Sequence, residues 1–398
     1  MNPDLERLQP YPFEKLSSLL ADVTPADLAA ISLSVGEPRH QPPRLALDAL
    51  VADLASFTRY PSTRGEPALR QSIARWLVRR YGLADADTLA EHHVLPLNGT
   101  REGLFAIAQC LLDRSVPARD VLMPNPFYQI YEGAALLAGC RPAFYPISAS
   151  ADTDLDAISD EAWDRCQLIY VCSPGNPTGA VLSSPALERL IERAHRHDFI
   201  IVSDECYSEI YREASGPPTG LLEASARAGN RKHARCLSFH SLSKRSNLAG
   251  LRSGFVAGDA SLIKQFLRYR TYHGCSMPVP VQAASMAAWD DEAHVVANRQ
   301  AYDAKYASVV SVLAPRLPLE IPPGGFYLWP TLPIDDCDFT QKLLREQNVR
   351  VVPGSYLARS EGDDQNDNPG YRRIRLALVA EHDACTDAAR RIATCLAE

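Results

Sequence analysis

The chain has no Cys-x-x-Cys pair, although ten cysteines are scattered from Cys110 to Cys395. Scattered thiols fit neither a zinc ribbon nor a short disulfide framework, and no metal site is expected. Positive charge is not in excess: 41 Lys and Arg face 48 Asp and Glu, a net charge of −7. That balance offers a polyanion nothing, so nucleic acid is not an expected partner. No apolar run approaches the roughly 20 residues a membrane helix needs. The opening Met-Asn-Pro-Asp-Leu-Glu-Arg lacks the basic and apolar regions of a signal peptide. A cytoplasmic protein away from any membrane is the expectation. Neither Gly-x-Gly-x-x-Gly nor Gly-x-x-x-x-Gly-Lys-Ser/Thr occurs, so a dinucleotide or nucleoside triphosphate is not supported.

What is present is a chain of 398 residues, 46% hydrophobic and 22% charged. That length exceeds one small core and calls for two domains. Short apolar runs at Val94–Leu97, Val121–Met123, Pro142–Pro146, Gln167–Cys172, Phe199–Val202, Leu237–Phe239 and Gly254–Ala257 read as strands. Several are separated by helical stretches such as Leu104–Leu112 and Ser184–His197, and a further helix, Pro67–Tyr81, precedes the first. This is the pattern of an α/β fold whose mainly parallel seven-stranded sheet is covered by helices on both faces. The link from Phe239 to Gly254 is too short for a crossover helix, so that pair should be antiparallel. Beyond about residue 285 the pattern changes to a long, broken helix (282–313), the run Pro322–Trp329, a polar loop over 361–370, a strand at 373–378 and a terminal helix. The expected division is a segment 1–45 packing with the small domain, a large domain 46–285 and a small α+β domain 286–398.

Polar residues gather at the ends of the apolar strands, where ligands bind in parallel α/β sheets. Asn98-Gly99-Thr100-Arg101 opens a helix, and exposed amides beside a glycine suit an anion. Tyr128, Asn176, Asp204, Tyr207, Ser241, Lys244 and Arg252 follow later strands. Singly, each has an ordinary reading: Asp204 as a helix cap, Asn176 as turn chemistry, Lys244 as a solvated loop lysine. Together they supply an amine, a carboxylate, an asparagine, a phenol, an aromatic and a phosphate cup. Pyridoxal 5′-phosphate (PLP) needs that set: a lysine for its aldehyde, an anion for its ring nitrogen, amides and an arginine for its phosphate.

Ser173-Pro-Gly-Asn-Pro-Thr-Gly179, Ser203-Asp-Glu-Cys-Tyr207 and Ser241-Leu-Ser-Lys-Arg-Ser-Asn-Leu-Ala-Gly-Leu-Arg252 resemble, in order and spacing, the central motifs of the fold-type I, class I PLP-dependent aminotransferases. The resemblance implies that Lys244 is the Schiff-base lysine and Asp204 the partner of the ring nitrogen. It implies that Asn176 and Tyr207 bond the ring hydroxyl and that Tyr128 stacks on the ring. Gly99, Thr100, Arg101, Ser241 and Arg252 match the phosphate cup. Tyr60 matches a tyrosine that reaches the neighbouring subunit's phosphate, which implies a homodimer with shared sites. Arg375 matches the clamp on the substrate α-carboxylate, near Gly36, with Asn176 also facing substrate. Arg373, two residues earlier on the same strand face, is the alternative clamp.

Within the group, Val35–His40, Pro124–Tyr131, Ser238–Asn247 and Pro323–Trp329 look closest to the bacterial succinyldiaminopimelate aminotransferases. That likeness implies amino exchange between glutamate and N-succinyl-2-amino-6-oxopimelate. Aminotransferases of aspartate, alanine or aromatic amino acids, and PLP carbon–sulfur lyases, are the alternatives. Both expected substrates carry a second carboxylate, for which Arg39, Arg101, Arg245 and Arg268 are available cations.

Overall fold

A computed structural model describes residues 2–117, 120–147, 151–360, 362 and 364–397; Glu361 and Asp363 of the polar loop lie outside them. The first strand, β1 (Ile31–Ser32), is short and belongs to the second half of the molecule. The central sheet is built from β2 (Val94–Leu97), β3 (Asp120–Asn125), β4 (Arg141–Pro146), β5 (Cys166–Cys172), β6 (Ile200–Asp204), β7 (Cys236–Ser241) and β8 (Gly254–Gly258). Their order is β2-β8-β7-β6-β5-β3-β4. Strands β3 to β7 are mutually parallel, while β8 is antiparallel to both β7 and β2. All seven apolar runs therefore form the expected sheet, and the short link from β7 to β8 gives the expected antiparallel pair.

The alternation of side chains explains the two covered faces. Ile169, Val171, Ile201, Phe255 and Ala257 point into one core, with helices Pro67–Tyr81, Ser184–His197 and Val279–Asp290. Their sequence neighbours Leu168, Tyr170, Val202 and Val256 point into the other, with Thr100–Leu111 and Ala260–His273. Both sets are apolar, as a sheet sandwiched between two helix layers requires. Helix Pro67–Tyr81 starts with proline at its first position and ends at Gly82, whose φ of 64° closes it in the left-handed region. Within the first core the rings of Trp163 and Phe199 stack at 5.1 Å.

The second half is smaller. Strands β9 (Tyr327–Leu328), β11 (Val352–Pro353) and β12 (Ile374–Ala377) form an antiparallel sheet ordered β11-β12-β9, and β1 pairs in parallel with β10 (Val349–Arg350). Helices Ala293–Leu313, Asp336–Gln347 and His382–Ala397 cover it, and Ile31 and Leu33 of the N-terminal segment join its core. The long helix is indeed broken, at Asp291–Glu292. Ala284, Ala288 and Trp289 lie in the core of the large sheet, whereas Tyr306, Val309 and Leu313 lie in the small one. A boundary at 285 runs through Val279–Asp290. We propose the break itself as the domain boundary, because the helix before it shares its core with Trp76 and Leu77. A fourth cluster, including Tyr207, Ile210, Tyr302, Phe326, Tyr327 and Ala377, fills the seam between the halves.

Leu190 is fully buried in the first core. Leu190→Ala should lower unfolding free energy by about 3 kcal/mol in urea titrations. The exposed neighbour Glu192→Ala should change it by less than about 0.5 kcal/mol.

Candidate active site

Because β8 runs against its neighbours, β2 runs in the same sense as β3 to β7. The carboxyl ends of all these strands, and the beginning of β8, thus lie along one edge of the sheet. This topology brings Gly99, Tyr128, Asn176, Asp204 and Ser241 together, with Arg252 just ahead of β8. A cavity of about 550 Å³ opens at that edge, lined by Gly36, Thr100, Arg101, Tyr128, Asn176, Asp204, Tyr207, Ser241, Lys244, Arg252 and Arg375. Two sequence-predicted residues are not on its wall. Gly99 sits directly behind it. Tyr60 is elsewhere, fully exposed at 102% relative accessibility, after the 3-10 turn Leu54–Thr58.

Lys244 lies in a one-turn helix directly after β7. Its Nζ donates to the carbonyl of Gly36 and stands 5.5 Å from the Phe326 ring centroid. Burial lowers its pKa from 10.5 to about 8; Arg375 and Arg101 push the same way, against Cys206 and Glu37. Asp204, at the end of β6, is buried. One oxygen accepts from Tyr131 Oη at 2.7 Å and the other from the Cys206 amide at 3.2 Å. Burial raises its pKa, partly offset by these donors and by Lys244. Tyr207 Oη lies 3.0 Å from Tyr327 Oη.

Arg375 reaches the cavity from β12. It donates to Asn176 Oδ1 at 3.1 Å and to the Ser34 carbonyl at 2.8 Å, and stacks over Tyr327 at 4.6 Å. Its Nε is buried and has no partner among the described residues. Arg373 does not line the cavity; it donates to the Trp329 carbonyl at 3.1 Å. Arg373 stands just ahead of β12, which begins at Ile374, in an isolated bridge with Thr331. Of the four candidate distal cations only Arg101 lines the cavity. Its Nε donates to Tyr128 Oη at 2.6 Å, and its guanidinium lies 6.0 Å from the Tyr11 ring. Arg245 is buried facing Ala288 and Glu292, and Arg268 lines a separate groove with Tyr269 and Tyr272.

Sequence reasoning missed Tyr11, Cys206, Tyr131 and Tyr327. Tyr131 had a signal: it follows Tyr128 by three residues, one helical turn, and its ring stacks on Tyr170 at 4.5 Å. Tyr327 stood in the quoted Pro323–Trp329 stretch. Tyr11 had none. Outside the cavity, Glu102, His273 and Cys275 place potential metal-ligand atoms within 4.8 Å of one another. The carboxylate there is already paired with the buried Arg270.

A sequence profile described as aminotransferase class I and II matches residues 29–392. The chain belongs to this family. An aminotransferase of Neisseria meningitidis resembles it in structure with a TM-score of 0.92, at 44% identity over 99% of each chain. An LL-diaminopimelate aminotransferase of Maridesulfovibrio salexigens is 30% identical over 98% of this chain and 97% of its own. A probable N-succinyldiaminopimelate aminotransferase of Thermus thermophilus superposes with a TM-score of 0.83, at 26% identity, covering 96% of this chain and 100% of that one.

Class I aminotransferases use PLP, and the residues of this aminotransferase fit that cofactor. Asp204 is a buried carboxylate with no cation in ion-pair contact among the described residues, which a protonated ring nitrogen would satisfy. Gly99, with φ 85°, precedes helix Thr100–Leu111, and a Cβ on it would overlap the Arg252 guanidinium. The glycine thus leaves room for a cation beside free helix amides, the donors a phosphate takes. Arg252 itself donates to the Ala249 carbonyl at 2.8 Å and meets no carboxylate among the described residues.

The depressed Lys244 amine has a consequence for stability. Below about pH 8 both folded and unfolded chains carry its proton, and the folded state bears the full cost of burying charge. Between about 8 and 10.5 the folded state loses the proton first and that cost disappears. In the cofactor-free protein, Lys244→Met should therefore be more stable than wild type at pH 7. We expect about 2 kcal/mol after allowing for partial exposure of Nζ. The advantage should vanish as pH approaches 10.5. Equal stability at pH 7 would contradict a desolvated amine.

Proposed function

We propose that this aminotransferase exchanges an amino group between L-glutamate and N-succinyl-2-amino-6-oxopimelate, the succinyldiaminopimelate transaminase reaction of lysine and diaminopimelate biosynthesis. The observation that carries the reading is the pair of cations on one cavity. Arg375 stands beside Asn176 and Lys244, and Arg101 stands between Tyr11 and Tyr128. A substrate with a carboxylate at its reacting end and another farther out meets both. The Thermus neighbour and the diaminopimelate relatives support the same class.

Each assigned residue has a task. Asn176 and the Ser34 carbonyl orient the Arg375 guanidinium, which grips the α-carboxylate by a bidentate pair. Lys244 Nζ, uncharged for an appreciable fraction near neutral pH, removes the proton from substrate Cα. PLP, when bound, supplies the electron sink for that carbon. Asp204, fixed by Tyr131 and the Cys206 amide, holds positive charge on the ring nitrogen. Tyr207, held by Tyr327, and Asn176 would hold the ring hydroxyl when the cofactor is bound. The amides of Thr100 and Arg101 with Ser241 and Arg252 take the phosphate. The Arg101 side chain, anchored through Nε on Tyr128 Oη, takes the distal carboxylate with its terminal nitrogens.

We further propose a homodimer in which Tyr60 completes the partner's phosphate cup. Val51, Leu54, Phe57 and Tyr60 are all exposed within one short stretch, the kind of apolar surface a partner covers. None of the ten cysteines, all among the described residues, is placed in a disulfide, and scattered thiols suit a cytoplasmic setting. No helix of the described residues is long and apolar enough to cross a membrane.

A second reading, LL-diaminopimelate aminotransferase, is favoured by the Maridesulfovibrio relative. The two are separated by comparing kcat/KM for glutamate with the succinylated keto acid against LL-diaminopimelate with 2-oxoglutarate. The first pair should be preferred; a preference for the second transfers the assignment. Lys244→Ala should leave a folded protein with no measurable turnover, and near-normal activity would sink the role of that lysine. Arg101→Leu should raise KM for the succinylated keto acid at least about tenfold, the loss of one charge-assisted pair. KM for pyruvate should stay within about twofold, because no second carboxylate is lost. An equal rise for both would remove Arg101 from the distal site.

A further inference from the structure

His40 closes the Val35–His40 stretch, and nothing in the reaction as described uses it. Its ring bridges two side chains of helix Ala293–Leu313. Lys305 Nζ lies 2.6 Å from His40 Nε2, and His40 Nδ1 lies 2.7 Å from Asn298 Oδ1. An ammonium has only protons to offer, so Nε2 accepts and the ring proton sits on Nδ1, where it donates to Asn298. Asn298 Oδ1 also accepts from Asn247 Nδ2 at 3.1 Å, and its own amide group points at the Lys244 carbonyl at 3.4 Å. Lys305 is buried, 2% exposed, and no carboxylate is within ion-pair distance among the described residues. Besides His40, it lies over the Tyr302 ring, at 5.3 Å; Cys385 and Glu381 also act on its charge. A buried ammonium without a counterion is costly, and here its hydrogen-bond partner is His40.

At its other end the same loop supplies the Gly36 carbonyl that accepts from Lys244 Nζ. A Cβ at Gly36 would overlap Tyr327 Oη, so the backbone is pressed against the ring on which Arg375 stacks. The loop is thus fastened at both ends to groups around the cavity.

We propose that His40 is a positioning residue: as a neutral Nδ1–H imidazole spanning Lys305 and Asn298, it holds the Gly36–His40 loop in register with the lysine segment and with Arg375. It touches neither substrate nor reacting atoms. The inference rests on family membership and not on the choice of keto acid.

The test uses the holoenzyme and three variants. His40→Ala should raise KM for amino donor and keto acceptor in parallel, about tenfold, as expected for one or two buried hydrogen bonds. With the machinery intact, kcat should stay within about threefold. Hydrogen exchange followed by mass spectrometry should show faster exchange confined to the peptides covering 33–41 and 242–248. His40→Gln, which carries an acceptor and a donor on one planar group, should recover at least half of the KM loss on a logarithmic scale. Lys305→Met should reproduce the His40→Ala pattern, and it decides the question if His40→Ala does not fold. Wild-type KM values and wild-type exchange in Lys305→Met overturn the proposal. So does loosened exchange over the whole chain, or a fall in kcat at unchanged KM.

Discussion

Keeping one amine out of water governs the arrangement of this site. Lys244 is held between the Gly36 carbonyl and the face of Phe326, within the fields of Arg375 and Arg101. Burial does most of the work, and the two guanidiniums add to it. The same dry surroundings act on Asp204 in the opposite direction, raising its pKa. One low-dielectric pocket thus makes a lysine easier to deprotonate and a carboxylate harder to ionise. A ligand carrying a ring cation and a carbonyl resolves both tensions, which is why this donor set suits PLP better than its parts suggest.

That pocket exists because of strand direction. Because β8 is reversed, the chain stays at the catalytic edge through a short link, so Lys244 and Arg252 face the same space from the end of one strand and the approach to the next. The reversal also lets β2 run with the parallel strands, so its carboxyl end delivers Gly99 and the first turn of Thr100–Leu111. Had β2 run the other way, the helix amides would open on the opposite edge, far from Asp204.

The seven strands were legible because each contains a short apolar run, largely buried in all but the edge strand β4, and such runs need no knowledge of partners. Helix Pro67–Tyr81 was equally plain, with proline at its start and glycine at its end. Residues that follow strands were legible for the same reason: Asp204, Asn176 and Lys244 stand where a periodic pattern stops. Tyr11, Cys206 and Tyr327 were not, because only three-dimensional proximity to Arg101, Asp204 and Tyr207 gives them a role. Arg373 and Arg375 could not be separated by spacing. Their separation shows only in their partners: the Trp329 carbonyl for Arg373, and Asn176 with the Ser34 carbonyl for Arg375. Arg245 looked as available as Arg101 in sequence. Burial against Trp289, with its charge met by Glu292, is a tertiary fact that no local pattern carries.

The seam between the halves gives these contacts a common logic. Tyr327, from the small sheet, meets Tyr207, from the loop after β6, and sits beneath Gly36 of the N-terminal segment. On the proposed assignment, a substrate joins Arg375 on one side of that seam to Lys244 on the other, so its α-carboxylate and its Cα are held by residues of different cores. Binding energy gathered at Arg375 can then be spent on aligning Cα with Lys244 only if the seam is stiff. The packed cluster of Tyr207, Ile210, Tyr302, Phe326 and Tyr327 supplies that stiffness. Tyr302, which carries the rings of both His40 and Phe326, ties the N-terminal loop to the same cluster. The loop is therefore part of the seam, and the register between carboxylate and amine depends on its staying there.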